Sequence, residues 1–150
     1  MAYNLRMVKS CVIFDFDGVI ADTEVLHLAA YNLALARHAE AIGGPLEIPH
    51  DAYFARYIVF GDSDGFLHML RDHGRPHGAA LVAQLATAKH ELFRHNLGGF
   101  AEPLPGVREV LALLEARGVP RAICSGARRD EILQSLDAFD LRRHFDVVVT

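Results

Sequence analysis

Residues 11–24 read C-V-I-F-D-F-D-G-V-I-A-D-T-E, and this stretch decides the fold. Four apolar residues, Cys11 to Phe14, run straight into Asp15 and Asp17, with Gly18 following. An apolar run of that length, followed by a turn signal at Gly18, predicts a buried strand of about residues 10–14. Strand side chains alternate with period two, so Asp15 and Asp17 share one side of the strand end and Phe16 turns away. Two neighbouring carboxylates repel unless a cation or a shared proton lies between them. Their oxygens suit a hard divalent ion such as Mg²⁺. An Asp-x-Asp-Gly stretch is also compatible with a plain turn. A calcium loop of the EF-hand kind fails, because Ile20 stands where that loop requires glycine.

Outward from this stretch, the chain alternates between two characters. After Gly18, Asp22 or Thr23 is placed to cap a helix with Glu24 in its first turn. Leu26, Ala29, Ala30, Leu33 and Ala36 continue at helical spacing up to Gly43-Gly44-Pro45. Further helices are predicted over about 51–57, 63–72 and 78–96, with 57–60 ambiguous. From residue 103 the pattern changes. A helix entered near Pro105 runs to Gly118, a strand covers 119–124, a helix covers 128–136, and a strand covers 145–149. Strand, helix, strand, helix, strand predicts parallel βαβ units, with the helical block inserted after the first strand. The expected organisation is therefore an α/β core of residues 1–21 and 100–150, and a helical cap of residues 22–99.

Bulk properties narrow the function classes. Of 150 residues, 51% are hydrophobic and 23% charged, an ordinary globular composition. The net charge of −4 and the scattered arginines give no reason to expect nucleic acid. Uncharged runs are too short to span a bilayer and no signal-peptide pattern precedes Asp15, so a cytoplasmic location is expected, with no membrane partner. Cys11 and Cys124 each sit in a strand-like stretch and are expected to be buried, reduced packing thiols.

In open parallel sheets, ligands bind beyond the carboxyl ends of the strands. The later strand ends in Cys124-Ser125-Gly126-Ala127, whose hydroxyl and backbone N–H groups suit a phosphate near a helix N-terminus. Taken together, D-F-D-G-V-I-A-D-T-E, S-G-A and the cap-sized insertion resemble the haloacid dehalogenase-like hydrolase superfamily. The likeness is to its β-phosphoglucomutase-like, CbbY-like phosphatase branch, and it covers essentially the whole chain. It implies a three-layer Rossmann-like parallel sheet with an inserted helical cap.

The same resemblance implies roles. Asp15 would be the nucleophile and Asp17 the general acid and base. Mg²⁺ would be held by the Asp15 carboxylate and the Asp17 backbone carbonyl. Ser125 and the N–H of Gly126 would hold the phosphoryl group. On the cap, His27 and Arg56 are candidate substrate contacts, and Arg71, like Arg56, could reach a substrate's distal phosphate or carboxylate. The acidic stretch Gly61-Asp62-Ser63-Asp64 favours hydrolysis over mutase chemistry. Lys89 is the only cap lysine that could form a Schiff base for a phosphonate hydrolase, and it lies late in the cap. The family's third motif, a lysine, and its fourth, an acidic pair, have no counterpart here. The chain is therefore expected to be the N-terminal portion of a longer one. The expected activity is a Mg²⁺-dependent phosphatase acting on a small phosphorylated metabolite of the sugar-phosphate kind; the oligomeric state stays open with a monomer as the default, and the 150 residues alone are expected to turn over weakly or not at all. The alternatives are a sugar-phosphate mutase and a non-catalytic binding module.

Overall fold

A computed structural model describes residues 10–97 and 101–150. Strand β1 (Val12–Phe14), β2 (Arg121–Cys124) and β3 (Val147–Val149) form one parallel sheet in the order β1-β2-β3. Helices α1 (Glu24–Arg37), α2 (His50–Ala52), α3 (Asp62–Asp72) and α4 (Ala79–Leu92) fall between β1 and β2, followed by α5 (Val107–Ala116). Helix α6 (Arg129–Ala138) joins β2 to β3. The chain divides into two compact units, residues 1–21 with 103–150, and residues 22–102.

The strands are shorter than the apolar runs that announce them. Pro120 lacks an N–H, so β2 begins only at Arg121, although the Pro120 carbonyl still accepts from Val12 N–H at 3.0 Å. Register pairs Val12 with Arg121, Ile13 with Ala122 and Phe14 with Ile123. On the far side, Ala122 pairs with Val147 and Cys124 with Val149. Right-handed crossovers running in one direction put α5 and α6 on the same face of the sheet. Ile123 is fully buried, as are Leu111 of α5 and Ile132 and Leu136 of α6. The opposite alternation set holds Ile13, Val147 and Val149, exposed at 63%, 52% and 51%. Cys11 and Cys124 belong to that set by alternation. Both thiols are free, as expected, but exposed rather than buried. The expectation of burial fails because the described residues cover only one face of the sheet.

In the helical unit, α4 packs on both α1 and α3. Leu35, Ile42, Ile48, Phe66, Met69, Leu70 and Leu85 are fully buried in a common core. Each such side chain stabilises the unit by about 1.5–3 kcal/mol relative to exposure. The predicted helix over 51–57 is α2 followed by a π-helical turn, Tyr53–Tyr57, and α4 likewise ends in a π-helical turn, Phe93–Leu97. The segment 57–60 is not a strand. Thr23 is the N-cap of α1 by position, but its side chain makes no capping hydrogen bond. The expected stop of the last cap helix at Gly98-Gly99 lies outside the described residues. Asn32 pins the linker before α2: its side chain accepts from Ile48 N–H at 2.8 Å and donates to the Ile48 carbonyl at 3.0 Å.

Gly65 in α3 is required by packing rather than by backbone conformation. A Cβ there would lie 2.7 Å from the Tyr31 hydroxyl oxygen and 3.2 Å from the ring carbon that bears it. Tyr31 is buried against Phe66 and Tyr53, so it has little room to retreat. Gly65→Ala is expected to lower stability by about 1–3 kcal/mol, the cost of overpacking, despite alanine's better helix propensity. Urea titration of the two proteins checks this.

Candidate active site

Everything at the carboxyl edge of β1 is set by one carbonyl. Val19, Ile20 and Ala21 N–H groups all point to the Phe16 carbonyl, at 3.2, 2.8 and 3.1 Å. Gly18, at φ +68°, closes the turn, and its N–H donates to the Ala21 carbonyl at 2.9 Å. A side chain at position 18 would be strained in that conformation. Phe16 is buried, Asp15 is exposed and Asp17 is half-buried. The Asp15 carboxylate also accepts from the Phe16 N–H at 2.7 Å. Ala21 then bridges Pro103, and Leu104 N–H donates to the Ile20 carbonyl at 3.0 Å, so the turn is tied to the start of the α5 segment.

Register carries Asp15 to the end of β2. Phe14 pairs with Ile123, so Asp15 falls level with Cys124, one residue before Ser125. Neighbouring strands lie about 4.8 Å apart, which places the two loops side by side at one sheet edge. Ser125 N–H donates to the Val149 carbonyl at 3.1 Å, continuing the β2–β3 ladder. The Ser125 hydroxyl oxygen accepts from Ala127 N–H at 3.2 Å, which curls the loop toward α6. Gly126 is exposed, and nothing lies within 4 Å of where its Cβ would be. Asp15, Asp17, Ser125 and Gly126 are thus gathered in one unit.

The arginines that follow the loop are engaged within the protein. Arg128 pairs with Asp130 at 3.5 Å, and Arg129 donates to the Val148 carbonyl. Arg142 and Arg143 pair with Asp137 and Asp140 at 3.1 and 2.9 Å.

For a metal, the donors that the resemblance implies are the Asp15 carboxylate and the Asp17 main-chain carbonyl. These are hard oxygen donors, and Mg²⁺ characteristically binds through one or two carboxylates while keeping several waters. Among the described residues no group of three or more His, Cys, Asp or Glu side chains converges as a metal cage. The residues fit Mg²⁺ and do not fit a fully protein-ligated ion such as structural zinc.

The cap candidates lie in the helical unit. Arg56 is exposed and sits 3.7 Å from Asp72, whose carboxylate also accepts the Tyr57 hydroxyl at 2.9 Å. Arg71 is exposed near the end of α3. His27 is buried on α1, its ring stacked on Phe93 with centroids 4.2 Å apart and planes 7° from parallel. Its neighbour is Lys89, expected only as a Schiff-base candidate. Lys89 is 2% exposed, its Nζ lying 2.9 Å from His27 Nδ1 and 2.7 Å from Asp62 Oδ1. The same Asp62 oxygen accepts the Tyr31 hydroxyl at 3.3 Å. Tyr53 donates to Glu24 at 3.2 Å nearby on α1. The signal was in the spacing: Val82, Leu85, Lys89 and Leu92 form one helical stripe, and a lysine among leucines needs a partner.

Burial first, then the Asp62 carboxylate, holds the Tyr31 phenol far above its ordinary value near 10. The unfolded chain ionises this phenol near pH 10 and the folded chain does not. Its contribution is therefore complete below about pH 10 and is lost above it, by up to about 1.4 kcal/mol per pH unit. Between about pH 10 and 11, the wild type is expected to lose stability more steeply than Tyr31→Phe. Denaturant titrations at both pH values check the difference.

The family model for haloacid dehalogenase-like hydrolases matches residues 12–150, and the chain belongs to that family. It is 29% identical over 141 residues to a phosphorylated carbohydrates phosphatase of Thermotoga maritima, covering 92% of this chain and 59% of that protein. It is 29% identical over 150 residues to a phosphoglycolate phosphatase of Mesorhizobium japonicum, covering 95% and 60%. Among solved structures, CbbY from Rhodobacter sphaeroides in complex with phosphate superposes with a TM-score of 0.77 at 23% identity, covering 95% and 63%. That likeness shows the fold. The chain thus spans about three-fifths of the length of these relatives.

Proposed function

We propose that the protein is a Mg²⁺-dependent phosphomonoester hydrolase for a small phosphorylated metabolite of the sugar-phosphate type. One observation carries the reading: the parallel register brings Asp15, at the end of β1, level with the residue before Ser125 at the end of β2. The family and the names of the two phosphatase relatives support the substrate class.

In this reading an Asp15 oxygen attacks phosphorus as the ester P–O bond breaks, giving an aspartyl-phosphate. Asp17 donates its proton to the departing alkoxide. It then takes a proton from the water that attacks the same phosphorus, releasing inorganic phosphate and restoring Asp15. Ser125 and the N–H of Gly126 hold the non-bridging oxygens. Mg²⁺, bound by the Asp15 carboxylate and the Asp17 carbonyl, would supply charge neutralisation to an otherwise acidic site. His27 contacts substrate from the cap. Arg56 does so only by giving up its contact with Asp72. We further place the protein in the cytoplasm, with a small-molecule substrate and a monomer as the default state.

Phosphate release from a panel of sugar phosphates and phosphoglycolate tests the reading. Chelation of divalent ions is expected to lower release by at least about 100-fold, reversed by added Mg²⁺, because metal charge stabilisation contributes several kcal/mol. Isomer interconversion without phosphate release would favour the mutase. Neither reaction would favour a binding module.

A further inference from the structure

We propose that the helical unit selects phosphomonoesters whose remaining part is an uncharged polyol. It discriminates against a second anionic group on the substrate, whether a carboxylate or another phosphate. The proposal rests on the phosphatase reading above, in which this unit meets the part of the substrate beyond the phosphoryl group.

Charge is divided unevenly along the chain. Residues 22–102 hold six Lys and Arg against ten Asp and Glu, so the whole formal charge of −4 falls in the helical unit. Residues 1–21 with 103–150 hold nine of each sign and are formally neutral. A field of one sign raises or lowers the local concentration of a charged ligand, and this one works against anions.

The six cations do little to offset it. Lys89 is buried, and its ammonium meets the Asp62 carboxylate at 2.7 Å. Arg75 donates from Nη1 to the Gly43 carbonyl at 2.7 Å and from Nη2 to the Pro45 carbonyl at 3.0 Å, which ties down the loop after α1. Arg56 faces Asp72 Oδ2 at 3.7 Å, and the Tyr57 hydroxyl donates to the same oxygen at 2.9 Å and holds it there. Arg94 is engaged within the protein as well. Arg37 and Arg71 lie in the last turns of α1 and α3, where the helix dipole already places partial negative charge.

A second phosphate or carboxylate is gripped best by a guanidinium fork open to two oxygens. Arg56 and Arg75 present such a fork only after leaving the groups they hold. A sugar hydroxyl asks for no cation, since it donates to carboxylates and carbonyls and accepts from N–H and O–H groups.

Two matched pairs of compounds test the proposal: fructose monophosphate against fructose bisphosphate, and glycerol phosphate against phosphoglycolate. Phosphate release is read at about pH 8, where an ordinary histidine is neutral, with free Mg²⁺ held constant. At low salt, kcat/KM is expected to be at least about 5-fold higher for the member of each pair with the uncharged end. The ratio is expected to shrink toward one in about 1 M salt, where the screening length is about 3 Å. Asp72→Asn keeps an acceptor for the Tyr57 hydroxyl and releases Arg56, and is expected to narrow the fructose ratio at least about 2-fold. Equal or faster use of the bisphosphate or of phosphoglycolate would overturn the proposal. So would a ratio that both salt and Asp72→Asn leave unchanged. If no compound releases phosphate, the phosphatase reading fails, and calorimetric titration of the two fructose phosphates then decides. Tighter binding of the monophosphate upholds the selection; any other result overturns it too.

Discussion

Asp15→Asn is expected to abolish phosphate release while leaving the fold unchanged. The amide is nearly the size of the carboxylate, and its carbonyl oxygen can still accept from the Phe16 N–H that Asp15 binds at 2.7 Å. Asp15 is exposed, so no buried charge is lost. What disappears is the anionic oxygen that forms the bond to phosphorus. Loss of a covalent nucleophile typically costs about 10⁴- to 10⁶-fold in kcat, beyond what binding and phosphate-loop contacts retain. Matched thermal melts and phosphate-release rates of the two proteins check both halves. Asp17→Asn should also fall, but by less, about 10²- to 10⁴-fold, since it removes proton transfer and leaves the nucleophile.

The second large effect concerns stability, and the two partners of one ion pair should respond unequally. Lys89 is 2% exposed, whereas the Asp62 side chain is 25% exposed. Asp62→Asn leaves a buried ammonium without its carboxylate, and is expected to cost about 3–5 kcal/mol, as when one member of a buried pair is removed. Lys89→Met leaves behind a carboxylate that water reaches, and keeps most of the apolar stem in the core. Its cost should be nearer about 2 kcal/mol. The double variant should cost less than the sum, because the second change removes a group already unpaired. Urea unfolding of all four proteins gives the cycle; equal costs, or strict additivity, would contradict the geometry.

The alternating architecture was legible because short continuous apolar runs and stripes at 3.6 spacing come from different physics, and from residue 103 onward the two alternate. The turn after Asp17 was legible through Gly18, whose positive φ is one that few other residues tolerate. The exact strand ends were not. Pro120 removes a ladder donor, and Ser10 and Cys11 fall before the first paired residue. Exposure of Cys11 and Cys124 was invisible to local pattern, because apolar strand residues look alike whichever face is covered. At the cap, His27 stood out by type, but Lys89, which it meets, lies 62 positions away in sequence, and only packing of α1 and α4 brings the two together. Lys89 was readable as an oddity on an apolar stripe, though not as the partner of Asp62.

The central claim is that phosphorus is transferred to Asp15. Acid quench of the protein during turnover of a sugar phosphate, borohydride reduction of the trapped acyl phosphate and peptide mass spectrometry address it directly. The account predicts that reduction converts the side chain at position 15 to homoserine in the wild type, with no modified peptide from Asp15→Asn. Phosphate release that proceeds with position 15 unmodified, or modification mapped to another residue, would contradict it.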